Sequence, residues 1–326
     1  MIAFGPVPSR RLGRSLGVNN IPPKVCTYSC TYCQLGRTIK MQVQRSPFYP
    51  PQRILQDVRS KVQAARRAGE RIDYLTFVPD GEPTLDINLG LQIDRLRPLG
   101  IEVAVISNAS LIGREDVRAD LMRADWVSLK VDAVREDTWR SIDRPHGTLR
   151  LGSILDGTLQ FAESFSGELA TETMLVAGLN DGDEHIRELA DFLGRLQPTT
   201  AYLAAPTRPP AEEWVRAPAE QVLNRAYHIL SRAVDRVEYL VGYEGNAFAF
   251  TGDVEQDLLS ITAVHPMRED AVGQLLARAQ AGWPVVQRLV AQGQLVQAEY
   301  EGQHFYLRKL HQGARHGLHE TTPGSH

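Results

Sequence analysis

The chain has 326 residues, a formal net charge of −3, 43% hydrophobic and 23% charged residues, a composition ordinary for a soluble globular protein. No run of about 18 apolar residues points to a membrane-spanning helix. The opening Met1-Ile2-Ala3-Phe4-Gly5-Pro6 lacks the basic-then-apolar order of a secretory signal, and the length favours one large domain plus a small one.

The N-terminal segment is basic. The first acidic residue is Asp57, and before it stand Arg10, Arg11, Arg14, Lys24, Arg37, Lys40, Arg45 and Arg53. These eight cations either offset a local negative charge or form the electrostatic footprint of a phosphate-bearing or RNA partner. Ser15 to Asn19 reads as a short strand, stopped by Pro22-Pro23. All three cysteines of the chain follow, in Cys26-Thr27-Tyr28-Ser29-Cys30-Thr31-Tyr32-Cys33. Their odd number and close spacing exclude a disulfide framework. Three thiolates on one loop can converge on a metal centre and leave a four-ligand site one ligand short. A zinc site completed by a distant histidine is the alternative, but no histidine lies within a few residues of Cys33. Reduced, closely spaced thiols fit a cytoplasmic location.

Strands and helices then alternate. A helix is predicted over 51–68, with Ile54, Val58 and Val62 at helical spacing. Strands are predicted at 73–78, 101–106, 126–131, 169–175 and 200–205, with helices near 86–98, 113–123, 135–142, 150–164, 183–195 and 218–234 between or after them. Six strand–helix units imply a parallel sheet with helices outside. They cannot close an eight-stranded barrel, so the expected fold is α/β, a partial (β/α)6 TIM-like barrel. Functional residues should sit at the C-terminal ends of its strands.

Several polar groups fall at those ends. Asp80-Gly81-Glu82-Pro83 follows the second strand and reads either as a tight turn or as a ligand-binding turn. Ser107 and Asn108 follow the third, where they could cap a helix or bind hydroxyl and carboxylate groups. Lys130 closes an apolar strand and needs a carboxylate such as Asp132 or Glu172 if it is buried. The loop Asp143-Arg144-Pro145-His146 could reach over the barrel mouth.

After the proline-rich Pro206 to Ala211 linker, residues 253–310 read helix, helix, helix, hairpin, the order of a winged helix. From 253 to 326 eight acidic residues face six basic ones, which favours a protein-contact or substrate-presenting role over phosphate binding. The expected division is a barrel domain over 1–235, a small winged-helix-like C-terminal domain over 236–310 and a disordered tail over 311–326.

The C-x3-C-x2-C spacing, with Tyr32 just before the last cysteine, resembles the signature of the radical S-adenosylmethionine (SAM) superfamily. The resemblance implies a [4Fe-4S] cluster held by Cys26, Cys30 and Cys33, with SAM on the open iron. It also implies a 5′-deoxyadenosyl radical that takes hydrogen from a substrate, and an external electron donor. The three cysteines and Lys130 are then the catalytic candidates. Cofactor-binding candidates are Tyr32, Gly81, Glu82, Ser107, Asn108, Asp132 and Leu175, the last in a segment that would back the adenine ring. The segments from Cys26 through Asp181 look most like the branch that includes the wyosine-synthesising tRNA enzymes, which carry a second cluster for which this chain has no cysteines. The expected function is a radical SAM enzyme on an unidentified substrate. RNA modification is the first alternative, and a non-catalytic iron–sulfur regulator using its winged helix on DNA is the second.

Overall fold

A computed structural model describes residues 2–241, 246 and 248–309. The chain opens with an antiparallel hairpin of β1 (Ala3–Ser9) and β2 (Gly13–Val18). Two short strands, β3 (Val25–Cys26) and β4 (Lys40–Met41), pair at the base of the cysteine loop. The barrel continues through α1 (Pro51–Arg67), β5 (Tyr74–Phe77), α2 (Leu89–Leu96), β6 (Glu102–Ser107), α3 (Glu115–Leu121) and β7 (Trp126–Lys130). It ends with α4 (Glu136–Asp143), α5 (Leu151–Ser164), β8 (Glu168–Met174), α6 (Asp183–Leu196), β9 (Thr200–Ala204), α7 (Glu220–Leu230) and β10 (Val237–Leu240). Eight strands form one sheet in the order β1-β2-β5-β6-β7-β8-β9-β10. Every neighbouring pair from β2 onward is parallel. The result is an open, curled partial barrel.

Two strands were absent from the six-unit expectation. β1 holds Pro6 and Pro8, which weaken a strand signal and suit an edge. β10 has only four residues, too few to show a period, and it extends the main sheet past the expected boundary at 235.

Side chains alternate across the sheet. Leu75, Phe77, Val103, Val105, Val127 and Leu129 face the helices, where Ile54, Val58 and Val62 of α1 and Leu89, Ile93 and Leu96 of α2 complete a buried core. The inward set is smaller. Ala104, Trp126, Ala170 and Tyr202 pack around Leu12 from the β1–β2 turn. That turn lies at the N-terminal end of β2, so it plugs the barrel floor and leaves the C-terminal ends open.

The last segment contains α8 (Val254–Thr262), β11 (Met267–Arg268), α9 (Glu269–Arg278), α10 (Pro284–Ala291), β12 (Leu295–Tyr300) and β13 (Gln303–Arg308), with strand order β11-β13-β12. Leu258, Ile261, Leu275 and Leu289 form its core together with Phe4 and Val7 of β1. Buried Asp257 also pairs with Lys61 of α1 at 2.8 Å. The helix–helix–helix–hairpin order matches the expectation, and the proposed tail over 311–326 lies outside the described residues.

Candidate active site

A cavity of about 310 Å3 opens at the C-terminal ends of the strands, and all three free, partly exposed cysteines line it. The loop that carries them is pinned on several sides. Backbone donors Ser29 and Thr31 reach the end of α4 through the carbonyls of Asp143 (3.0 Å) and Ile142 (2.8 Å). Lys24 Nζ donates to the Gly36 carbonyl at 2.9 Å and lies 3.5 Å from Asp80, which closes the loop at its two limbs. Gly81 seats the loop from below. Its φ is +151°, and a Cβ there would stand 2.0 Å from the Val25 carbonyl oxygen, so only glycine fits.

Burial pushes the Cys26 thiol up to about 12 and the Cys30 thiol well above its usual range. Bare thiolates are unfavourable here, and a bound metal centre would supply the missing positive charge. Among the described residues no three His, Cys, Asp or Glu donors gather tightly enough for a single metal ion. The three cysteines, brought to one cavity, are the residues that would hold an iron–sulfur cluster.

One wall is built by β5 and β6. Glu82 Oε1 accepts from Thr84 N (3.0 Å), Thr84 Oγ1 (2.6 Å) and Ser107 Oγ (2.8 Å), and Oε2 accepts from Asn108 N (2.8 Å). All four donors are neutral, and burial raises the pKa of Glu82. The carboxylate thus ties the β5 turn to the β6 turn. Asn108 Nδ2 then reaches Thr27 Oγ1 at 2.8 Å and Cys26 Sγ at 3.5 Å. Burial also pushes Asp80 up to about 6, despite Lys24 beside it.

The other wall is built by β7 and β8. Lys130 Nζ donates to Glu172 Oε1 at 2.9 Å and lies 3.8 Å from Asp132. Arg11 rises from the floor to the other Glu172 oxygen. Burial opposes the charged forms, but Asp132 and Glu172 hold Lys130 well above its usual range, and Lys130 with Arg11 holds Glu172 down at about 2. The Tyr32 hydroxyl donates to Asp132 and stands 3.1 Å from Asp143, which accepts from Cys30 Sγ at 3.3 Å. Lys130 Nζ sits 4.8 Å from the Tyr32 ring centre.

The structure therefore brings Cys26, Cys30, Cys33, Tyr32, Gly81, Glu82, Ser107, Asn108 and Lys130 to one cavity. Two expected residues stand elsewhere. Asp132 is buried behind the wall, bonded to Tyr32 and to the Met174 amide. Leu175 packs into the outer core, because strand alternation turns Met174 toward the cavity and its neighbour away. Sequence reasoning missed Arg11 and Arg208 as cavity residues. Arg11 carried no local signal, since its position depends on the hairpin turn filling the floor.

The basic N-terminal segment is not an open stripe. Arg11, Arg14, Lys24, Arg37 and Arg45 all form ion pairs with carboxylates from later in the chain. No described helix is long and apolar enough to cross a membrane.

A half-open α/β barrel with three cysteines on the loop after its first parallel strand defines a class. The family model of the radical SAM superfamily matches residues 20–193, more than half of the chain, and the chain belongs to that superfamily, whose members use SAM and an iron–sulfur cluster. More particularly, it is 45% identical over 311 residues to the UPF0026 protein of Methanocaldococcus jannaschii, a match that covers 95% of this chain and 96% of that one. Solved structures share the fold. A radical SAM methyltransferase from Sphaerobacter thermophilus superposes with a TM-score of 0.55 at 18% identity, covering 70% of this chain and 67% of that one. TYW1 with a lysine–pyruvate adduct bound gives 0.52 at 17% identity, covering 68% and 74%.

Proposed function

We propose that Cys26, Cys30 and Cys33 hold a [4Fe-4S] cluster and that SAM binds beside it in the barrel cavity. The observation that carries this reading is the placement of all three cysteines on the cavity that Glu82, Ser107 and Asn108 also line. When bound, the reduced cluster supplies the electron that cleaves SAM to methionine and a 5′-deoxyadenosyl radical, which takes a hydrogen atom from the substrate. The chain's own residues do the rest. The Lys24 clasp fixes the loop, and Asn108 orients the Cys26 sulfur. Glu82 locks the turn that would receive the SAM ammonium. Buried Tyr28 and Tyr32 keep water from the cluster side. The electron is delivered by an external donor.

The ion pairing of the N-terminal cations favours a substrate, or part of one, small enough to enter the cavity over RNA laid along a basic stripe. The cavity with its polar turns beside the cysteines favours catalysis over a regulatory iron–sulfur role. Anaerobic reconstitution should give about four irons and four sulfides per chain, and Cys30→Ala should lose them. With dithionite, the reconstituted protein should release 5′-deoxyadenosine from SAM. Stoichiometric zinc without iron after anaerobic isolation would defeat the reading.

A further inference from the structure

Two of the three cysteines touch a side chain of the barrel. Asn108 Nδ2 reaches Cys26 Sγ at 3.5 Å, and Asp143 accepts from Cys30 Sγ at 3.3 Å. Cys33 has no such side-chain partner among the described residues. The next residue, Gln34, is half-buried, and both ends of its amide are engaged by groups from far along the chain. Its Oε1 accepts from Arg208 Nη1 at 2.7 Å, and its Nε2 donates to the Val264 carbonyl at 3.3 Å. Arg208 Nη2 lies 3.0 Å from His265 Nε2. Burial and the guanidinium hold the pKa of His265 well below the usual value, so the neutral ring accepts that bond. Val264 and His265 lie in the turn between α8 and β11, and the C-terminal core anchors this turn. The His265 amide donates to the Ile261 carbonyl at 2.8 Å, and its ring packs edge-on to Phe248 with centres 5.2 Å apart.

We propose, resting on the reading of the cysteines as cluster ligands, that the C-terminal segment is part of the active site: its Val264–His265 turn positions Cys33 through Gln34 and Arg208. The circuit closes across three parts of the chain, the cysteine loop, the segment after β9 and the α8–β11 turn. Within the loop, the Cys33 amide donates to the Cys30 carbonyl at 3.2 Å and the Gly36 amide to the Cys33 carbonyl at 2.9 Å. Those bonds shape the turn but do not tie it to the rest of the molecule. Gln34, in the middle of the turn, supplies a tie, because an amide bonded at both ends cannot rotate without breaking a hydrogen bond. Tyr300 of β12 also donates to the Pro206 carbonyl at 3.4 Å, so the hairpin steadies the segment that carries Arg208. Gln34 and His265 are positioning residues on this reading, and they act through the turn rather than on a reacting atom.

The test is native-state amide hydrogen exchange on the full, cluster-free chain. In Gln34→Ala and in His265→Ala the Cys33 and Gly36 amides should exchange about fivefold faster, the scale of one hydrogen bond. The Ser29 and Thr31 amides, bonded to the end of α4, should keep their rates. His265→Gln, whose amide oxygen can accept from Arg208, should restore the rates of the unsubstituted protein. Arg208 has further interactions, so the substitutions leave it in place. Unchanged Cys33 and Gly36 rates in Gln34→Ala, or equal acceleration of all four amides, would overturn the proposal, and this variant decides even if His265→Ala does not fold. In the reconstituted protein, Gln34→Ala should keep its iron and shift the electron paramagnetic resonance spectrum of the reduced cluster. An unchanged spectrum would equally overturn the positioning role. Iron content of the unsubstituted protein tests the radical SAM reading separately. Without iron that reading falls, while the exchange rates still decide whether the C-terminal turn holds the cysteine loop.

Discussion

Glu82 and Glu172 are both buried on the same cavity, yet their walls drive them in opposite directions. Glu82 is surrounded by neutral donors from Thr84, Ser107 and Asn108, and burial raises its pKa. Glu172 lies between Lys130 and Arg11, and their charges outweigh burial and hold it at about 2. Depth alone penalises any carboxylate, and the partners decide whether that penalty survives. The β5–β6 wall is therefore a hydrogen-bonded lattice of neutral donors beside the cysteines, and the β7–β8 wall is an ionic one in which Lys130 and Arg11 face Glu172 and Asp132.

The strongest way to break this contrast is Lys130→Met. It leaves Glu172 with Arg11 alone and strips Asp132 of its nearest cation. Removing one partner of a buried pair costs about 3–5 kcal/mol, which chemical denaturation of the cluster-free protein would read. A loss below about 1 kcal/mol, the scale of an exposed pair, would mean that the ionic lattice does not govern this wall.

Acid stability sharpens the same contrast. Glu172 binds its proton less tightly in the fold, about 2 against an ordinary 4.5. Its stabilisation is therefore complete above about pH 4.5 and is lost as pH falls toward 2, a change on the order of 3 kcal/mol. Glu172→Gln should flatten that limb of the stability curve. Glu82 has the opposite sign. Its raised pKa means that the fold gains stability as pH falls from the folded value toward the ordinary one, and Glu82→Gln should remove that gain.

Glu82→Gln should also cost about 1–3 kcal/mol, because an amide turns one acceptor into a donor facing an N–H or hydroxyl that needs an acceptor. In the reconstituted protein it should weaken SAM binding, measured by equilibrium dialysis, with iron content unchanged. Loss of iron together with SAM binding would make the turn a support for the cysteine loop instead. The smallest effect is expected outside both walls. Arg37 is 71% exposed and shares Glu212 with Arg144, so Arg37→Ala should leave the melting temperature unchanged within error. A clear drop would show that the cysteine loop depends on that rim contact.

Much of this site was legible in the sequence where the geometry is local. Gly81 and Glu82 announced themselves as a turn after a strand, and Ser107-Asn108 as a polar strand end. Lys130, in an apolar strand, demanded a carboxylate, and both partners considered for it, Asp132 and Glu172, lie beside it. Leu175 went astray by one position, since a shift of one residue along a strand reverses the face. The hairpin strand β1 was hidden by its prolines, and β10 by its length.

Three cysteines within eight positions can reach one centre whatever surrounds them, so the cysteine loop belongs to the sequence alone. So do the alternation of strands and helices and the final helix–helix–helix–hairpin order, because apolar periodicity is a property of neighbouring residues. The charge pattern is different. Eight cations without a nearby acid looked like a surface for a polyanion, but Arg14 finds Glu70 across 56 positions, Arg11 finds Glu172 across 161 and Arg37 finds Glu212 across 175. Only the fold decided which of them were neutralised and that Arg11 would stand inside the barrel, because electrostatic energy depends on distance in space and not on separation along the chain.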